Sequence, residues 1–232
     1  MVSYVLSTLD SSKLFDIFKK KADRLIFEKL ISLPKQFDVE YSFSTKEFGE
    51  TLMMKITEPV TIKFYYFPRP FEIKLESHLA FIFRRNRTLL ITSPRGIGLV
   101  TRGVPRNYVD NLIGRIVSKP LFEEKGSYQP VDFNSDQLSY NLWGEELRSI
   151  QLDIIGFGKI VFKGNKLNEK LNTEPSLKNM VNKGSVRNIK IHSKKLNRVV
   201  SIFRDGTIKT NIKSIDEIAN YLIEILVPMG YL

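Results

Sequence analysis

RVVSIFRDGTIKTNIKSIDEIANYLIEIL, residues 198–226, fixes how the rest of the chain is read. Val200 and Ile202 alternate with Val199, Ser201 and Phe203, the period of a β-strand with one face turned inward. Arg204-Asp205-Gly206 is turn-prone, TIKT suits a second strand, and Ser214 with Glu217 has the spacing of a capping box. Ile218, Tyr221, Leu222 and Ile225 then recur at helical spacing. The stretch predicts strand, turn, strand and amphipathic helix.

Residues 87–117 follow the same plan. Setting Arg87 on Arg198 aligns TLLIT with VVSIF and brings Gly96 onto Gly206 after a one-residue insertion. It also lays Val109, Leu112, Ile113 and Ile116 on Ile218, Tyr221, Leu222 and Ile225. An internal repeat is expected. Between the copies, residues 119–148 are acidic and rich in Pro, Gly, Asp and Ser, as a linker would be. The expected organisation is an α+β unit over 1–118, a linker over 119–148 and a basic α+β unit over 149–232.

Upstream, a short strand near residues 2–7 leads to an amphipathic helix with Leu14, Phe18, Ala22, Leu25 and Ile26 on one face, stopped by Pro34. The segments FDVEYSFS, ETLMMKI, VTIKFYYF, FEIKLES and HLAFIFRR read as successive strands, parted by KEFG, by Glu58-Pro59 and by the PRP of residues 68–70. In FEIKLES, Phe71, Ile73, Leu75 and Ser77 face one way and Glu72, Lys74 and Glu76 the other. A helix is expected from Pro105, burying Val109, Leu112, Ile113 and Ile116. The fold class this implies is α+β, antiparallel sheets with packed helices.

The chain of 232 residues carries a formal net charge of +11, and its distribution is uneven. Lys159 to Lys213 holds fourteen basic residues against Glu169, Glu174 and Asp205; Arg84 to Arg115 holds seven arginines against Asp110. Residues 120–153 reverse the sign, with seven acids against Lys125 and Arg148. Clustered cations attract polyanions, since each neutralised phosphate releases condensed counterions. There is no cysteine, hence no disulfide, thiolate nucleophile or cysteine zinc site, and His78 and His192 are the only histidines. No apolar run is long enough for a membrane span, and MVSYVLSTLDSS meets Asp10 before a signal-type apolar core builds up, so a cytoplasmic location is expected.

Residues 189–226, IKIHSKKLNRVVSIFRDGTIKTNIKSIDEIANYLIEIL, resemble the C-terminal part of one half of a TATA-binding protein core. The resemblance implies a curved antiparallel sheet whose concave face sits in a DNA minor groove, with phenylalanines wedged between base steps. Carried over by position, Phe203 falls where one wedge belongs. The sequence departs from that pattern at Thr92, which stands where Phe203 does in the other repeat, at Thr210-Asn211 in place of Thr-Gly, and at Val186 in place of the other wedge. The run of N-terminal strands is also similar to START-type helix-grip domains, so duplicated TATA-binding-protein-like or helix-grip units are expected.

Catalytic constellations are sparse. GFGKIVFKGN lacks the glycine spacing and the Ser or Thr after Lys of a P-loop, and PRGIGLVTRG lacks the later glycine and acid of a dinucleotide site. Both read as turns. Glu123-Glu124 and Glu145-Glu146 are adjacent acids whose side chains diverge into water. The expectation is a non-enzymatic nucleic-acid-binding protein of weak sequence specificity, DNA being preferred over RNA, with no cofactor and with room for a protein partner or homo-oligomer. Phosphate contacts are expected from Arg84, Arg85, Arg87, Arg95, Lys194, Lys195, Arg198 and Arg204. Phe203, or Tyr65 and Phe67, would stack on bases. The alternative is a helix-grip ligand- or protein-binding domain with an apolar pocket lined by Phe64, Tyr66, Phe71, Phe81 and Phe83.

Overall fold

The computed structural model describes residues 1–10, 38–47, 49–62, 71–84, 87–95, 105–116, 128–135, 137–138 and 146–232. The expected N-terminal amphipathic helix, the PRP turn and the glycine turn at Gly96 lie outside these residues. The chain divides into two compact units, Tyr4–Gln129 with Leu232, and Met1–Ser3 with Pro130–Tyr231.

In the first unit the strands are β1 (Val2–Asp10), β2 (Asp38–Lys46), β3 (Gly49–Ile62), β4 (Phe71–Phe83) and β5 (Arg87–Arg95), followed by helix α1 (Pro105–Ile116) and the short β6 (Tyr128–Pro130). Their order is β2-β3-β4-β5-β1, with antiparallel pairings throughout and β6 paired to β1. Register places Leu52, Phe81 and Leu90 in one row and Met54, Leu79, Thr92 and Val5 in the next. Val109, Leu112 and Ile113 of α1 pack onto that face, all at most 1% exposed. Each such side chain contributes roughly 1.5–3 kcal/mol of burial. Polar side chains at the helix pair with one another: Tyr108 donates to the buried Glu58 carboxylate, and Tyr128 donates to Asp110 at 2.5 Å while accepting from Ser7 at 3.0 Å.

The break expected at Glu58-Pro59 is absent, and β3 runs through it for 14 residues. Among the described residues the pairing of β2 with β3 reaches Asp38 opposite Thr57, and β3 stays paired to β4 beyond it, with Pro59 opposite Lys74. The pairing to β4 carries the strand through the proline, whose missing N–H costs a ladder bond on one side only. FEIKLES and HLAFIFRR are likewise one strand, β4, of 13 residues.

The second unit contains β7 (Glu146–Ile154), β8 (Gly158–Lys163), α2 (Leu167–Thr173), α3 (Pro175–Lys183), β9 (Ser185–Ser193), β10 (Arg198–Phe203), β11 (Thr207–Thr210) and α4 (Ile215–Leu226). The order is β11-β10-β9-β7-β8, with antiparallel pairings between the neighbours. Leu147, Ile150, Leu152, Ile189, Ile191, Val200, Ile202 and Ile208 are buried. With the buried stripe of α4, from Ile215 to Leu226, they form the apolar interior. Ser214 caps α4, its Oγ accepting from Glu217 N–H at 3.3 Å, and Asp216 and Glu217 place negative charge at the positive helix end. Within the stretch 119–148, Val131, Phe133 and Leu138 are buried, and Phe133 N–H donates to Arg204 O at 2.7 Å.

These findings correct the expected fold class. Of the described residues, strand accounts for 55% and helix for 23%, so the protein is β-rich rather than a balanced α+β fold of antiparallel sheets with packed helices in duplicated TATA-binding-protein-like or helix-grip units. The sequence reading cut β3 and β4 into short pieces at local turn signals and so understated the sheet.

Candidate nucleic-acid interface

Strand alternation in the second unit sends one set of side chains inward and leaves the other on an open face. Along β10, Val200 and Ile202 are buried, whereas Val199 is 38% exposed and Ser201 and Phe203 are half-buried. Ser201 stands opposite both Lys190 of β9 and Lys209 of β11. Lys190 in turn faces Ser149 of β7, and Ser149 faces Lys163 of β8. One row, Lys163–Ser149–Lys190–Ser201–Lys209, therefore crosses all five strands. Strand spacing of about 4.8 Å puts successive lysine backbones about 10 Å apart. Repulsion at that distance is about 0.4 kcal/mol per pair in water, small enough to tolerate and relieved by a bound anion. Among the described residues Lys163 and Lys190 have no carboxylate partner.

The next row is uncharged: Val161, Gln151, Asn188 and Phe203 face one another across β8, β7, β9 and β10. Asn188 Nδ2 donates to Gln151 Oε1 at 2.9 Å, and Lys209 Nζ lies 5.0 Å from the centroid of the Phe203 ring. A register shift follows, with Gln151 opposite Asn188 but Leu152 opposite Val186. The extra residue is Arg187, and the bulge leaves it exposed, where its Nε donates to Asp153. Gln151, Asn188 and Phe203 of this row form one side of an open depression of about 500 Å³, whose charged lining is Asp132, Asp153 and Asp205 with Lys159, Arg187 and Arg204. Three acids against three cations make it a poor seat for a polyanion, and the lysine row is the better one.

Of the residues expected to touch phosphate, Arg204 is exposed beside Phe203, its Nη1 donating to Ser185 Oγ at 3.0 Å and its Nε 3.7 Å from Asp132. Lys194 and Lys195 lie in the β9–β10 turn and Arg198 opens β10; Lys195 is paired with Glu224. That turn is the length of β10, about 17 Å, from Phe203. Arg84, Arg87 and Arg95 belong to the first unit, Arg84 half-buried at the β4–β5 turn and Arg95 exposed 3.9 Å from Glu76. Arg85 falls outside the described residues, as do Tyr65, Phe67, Phe64 and Tyr66. Phe81 and Phe83 are core residues, 6% and 3% exposed, packed with Leu52 and Leu112.

Lys163, Lys190 and Lys209 were missed as a group because no short window contains them. Their signal is alternation: Lys190 flanked by Ile189 and Ile191, and Lys163 and Lys209 beside Phe162 and Ile208. Of the proposed repeat, the helices agree, Val109, Leu112 and Ile113 being buried like Ile218, Tyr221 and Leu222. The strands differ at the position of interest, since Thr92 is fully buried and Phe203 is not. Among the described residues no cluster of His, Asp and Glu is arranged to hold a metal ion, and no helix is long and apolar enough to cross a membrane. No family model, curated protein or solved structure matches the chain.

Proposed function

We propose that the protein binds nucleic acid, without catalysis, through the open sheet face of its second unit, gripping the phosphate backbone with weak sequence specificity. The observation that carries this is the row of Lys163, Lys190 and Lys209 lying beside Phe203 on one face. Lysines spaced along a track supply sequence-independent affinity, and an accessible aromatic ring supplies a stacking surface that every base can use. The Gln151–Asn188 pair offers amide groups to base edges but no bidentate guanidinium for guanine, which supports weak specificity. DNA is the proposed ligand and the cytoplasm the proposed compartment. The likeness of residues 189–226 to half of a TATA-binding protein core supports the reading in one respect, a sheet face offered to DNA.

The test compares two charge reversals of equal size. Lys190→Glu places an acid in the middle of the row, and Lys178→Glu places one on α3. Binding of a fluorescein-labelled oligonucleotide, followed by anisotropy, should weaken at least tenfold for Lys190→Glu and by much less for Lys178→Glu. Equal losses would mean that net charge alone attracts the oligonucleotide and would remove the face from the account.

A further inference from the structure

The β7–β8 hairpin ends in Ile154-Ile155-Gly156-Phe157-Gly158, and its tip holds two large apolar side chains in solvent: Ile155 is 100% exposed and Phe157 81%. The turn is built to keep them there. Phe157 N–H donates to Ile154 O at 3.0 Å, and Gly156, with φ of +85°, fits the third position of a type II turn. Gly158 follows at φ of +74°, and a Cβ at either glycine would meet nothing within 4 Å. Backbone angle, not space, requires glycine at both places, so the loop has a defined shape rather than a collapsed one. A turn whose only task was to reverse the chain would carry polar residues here.

We propose that this tip inserts Ile155 and Phe157 between bases of the nucleic acid held on the lysine row; the proposal rests on the function proposed above. Two observations favour nucleic acid over a lipid surface. The tip runs directly into β8, which carries Lys163, one end of the lysine row, five residues beyond Gly158 on its exposed side. Two side chains also make a small apolar area for a bilayer, which is held by a long amphipathic face or by a pair of lipid anchors. Between bases the same area suffices, because an inserted apolar side chain replaces the stacking contact that it opens. Phe157 offers a ring face and Ile155 a wedge beside it.

The experiment places the single tryptophan at the tip, as Trp143→Phe combined with Phe157→Trp, in the otherwise full chain. Binding of a labelled oligonucleotide of about 20 nucleotides, a length that exceeds one sheet's footprint, is followed by anisotropy. In parallel, indole emission is followed with the unlabelled strand and with phosphatidylcholine–phosphatidylserine vesicles. Insertion predicts that emission is quenched at least twofold at saturation and that acrylamide no longer reaches the ring. Oligonucleotide binding with unchanged emission would overturn insertion while leaving the proposed function standing. A blue shift with vesicles and no quenching with the oligonucleotide would assign the tip to a lipid surface and overturn it as well. Failure of the chain to bind the oligonucleotide at all would overturn the proposed function and insertion together. Should the tryptophan exchange prevent folding, Ile155→Ser with Phe157→Ser in the native background gives the second readout. Affinity should fall about tenfold with the salt slope unchanged, because no phosphate contact is lost; unchanged affinity would overturn the proposal.

Discussion

Lys209 Nζ sits 5.0 Å from the centre of the Phe203 ring, on the open face of the sheet and not in its interior. A cation over a ring at the surface contributes about 0.5–1 kcal/mol, enough to bias the orientation of this half-buried ring while leaving part of it accessible. The interior position next to it belongs to Ile202, which is fully buried.

Phe203→Ala should therefore separate binding from stability. A buried phenylalanine would cost about 3–5 kcal/mol on truncation. On the open face the expected change in melting temperature is small, and oligonucleotide binding should weaken by about 1–3 kcal/mol, the loss of one base-stacking contact. Thermal unfolding and anisotropy on the same preparation check both. A large fall in melting temperature with normal binding of the folded variant would take Phe203 out of the interface.

Gly206 closes the turn between β10 and β11 with φ of +73°, its N–H donating to Phe203 O at 3.1 Å. A Cβ there would stand 2.5 Å from Val131 O, closer than real contacts allow, and backbone cannot swing aside as a side chain would. Gly206→Ala is expected to destabilise the protein by more than the roughly 1 kcal/mol of an unfavourable backbone angle alone. Gly156→Ala, with a similar angle but open space, should cost only the angle. Urea unfolding of the two variants measures the difference.

Glu76 gives an acid-side signature in the first unit. The hydrogen bond from His78 holds its carboxyl below the ordinary range; burial opposes it as the next-largest effect, and the charges of His78, Lys55 at 3.8 Å and Arg95 at 3.9 Å add smaller lowering effects. A depressed folded pKa means stability that is present above the unfolded value, about 4.5, and is lost as pH falls through the folded one. Wild type should thus lose its advantage over Glu76→Gln as pH falls from about 5 to the acid limit. The side chain is 36% exposed, so the advantage is modest and should shrink in salt. Parallel stability curves for the two proteins across that range would show that the contact does not contribute.

Local patterns in the sequence carried part of this structure. Helical spacing found the buried faces of α1 and α4, and alternation in FEIKLES found the inward Leu75 and Ser77. The Ser214 cap follows from residue type and spacing. What escaped depends on partners far along the chain. That β3 continues through Pro59 is decided by its long pairing with β4, and which lysines share a row is decided by register among five strands. Charge density drew attention to Lys194, Lys195 and Arg198, which crowd a turn, whereas Lys163, Lys190 and Lys209 are scattered over 47 positions and meet only in the sheet. The bulge at Arg187 has no signature in its own sequence, because it is set by the pairing with β7.

The salt dependence of oligonucleotide binding tests the lysine row most directly. Wild type is compared with a variant carrying Lys163→Gln, Lys190→Gln and Lys209→Gln, and with a control of the same net charge carrying Lys166→Gln, Lys170→Gln and Lys178→Gln on and beside α2 and α3. Each phosphate contact contributes about 0.7 to 0.9 to the slope of log affinity against log salt. The row variant should be shallower than wild type by about two, and the control nearly unchanged. Equal slopes for wild type and the row variant, or equal losses in the row variant and the control, would contradict a binding surface on this face.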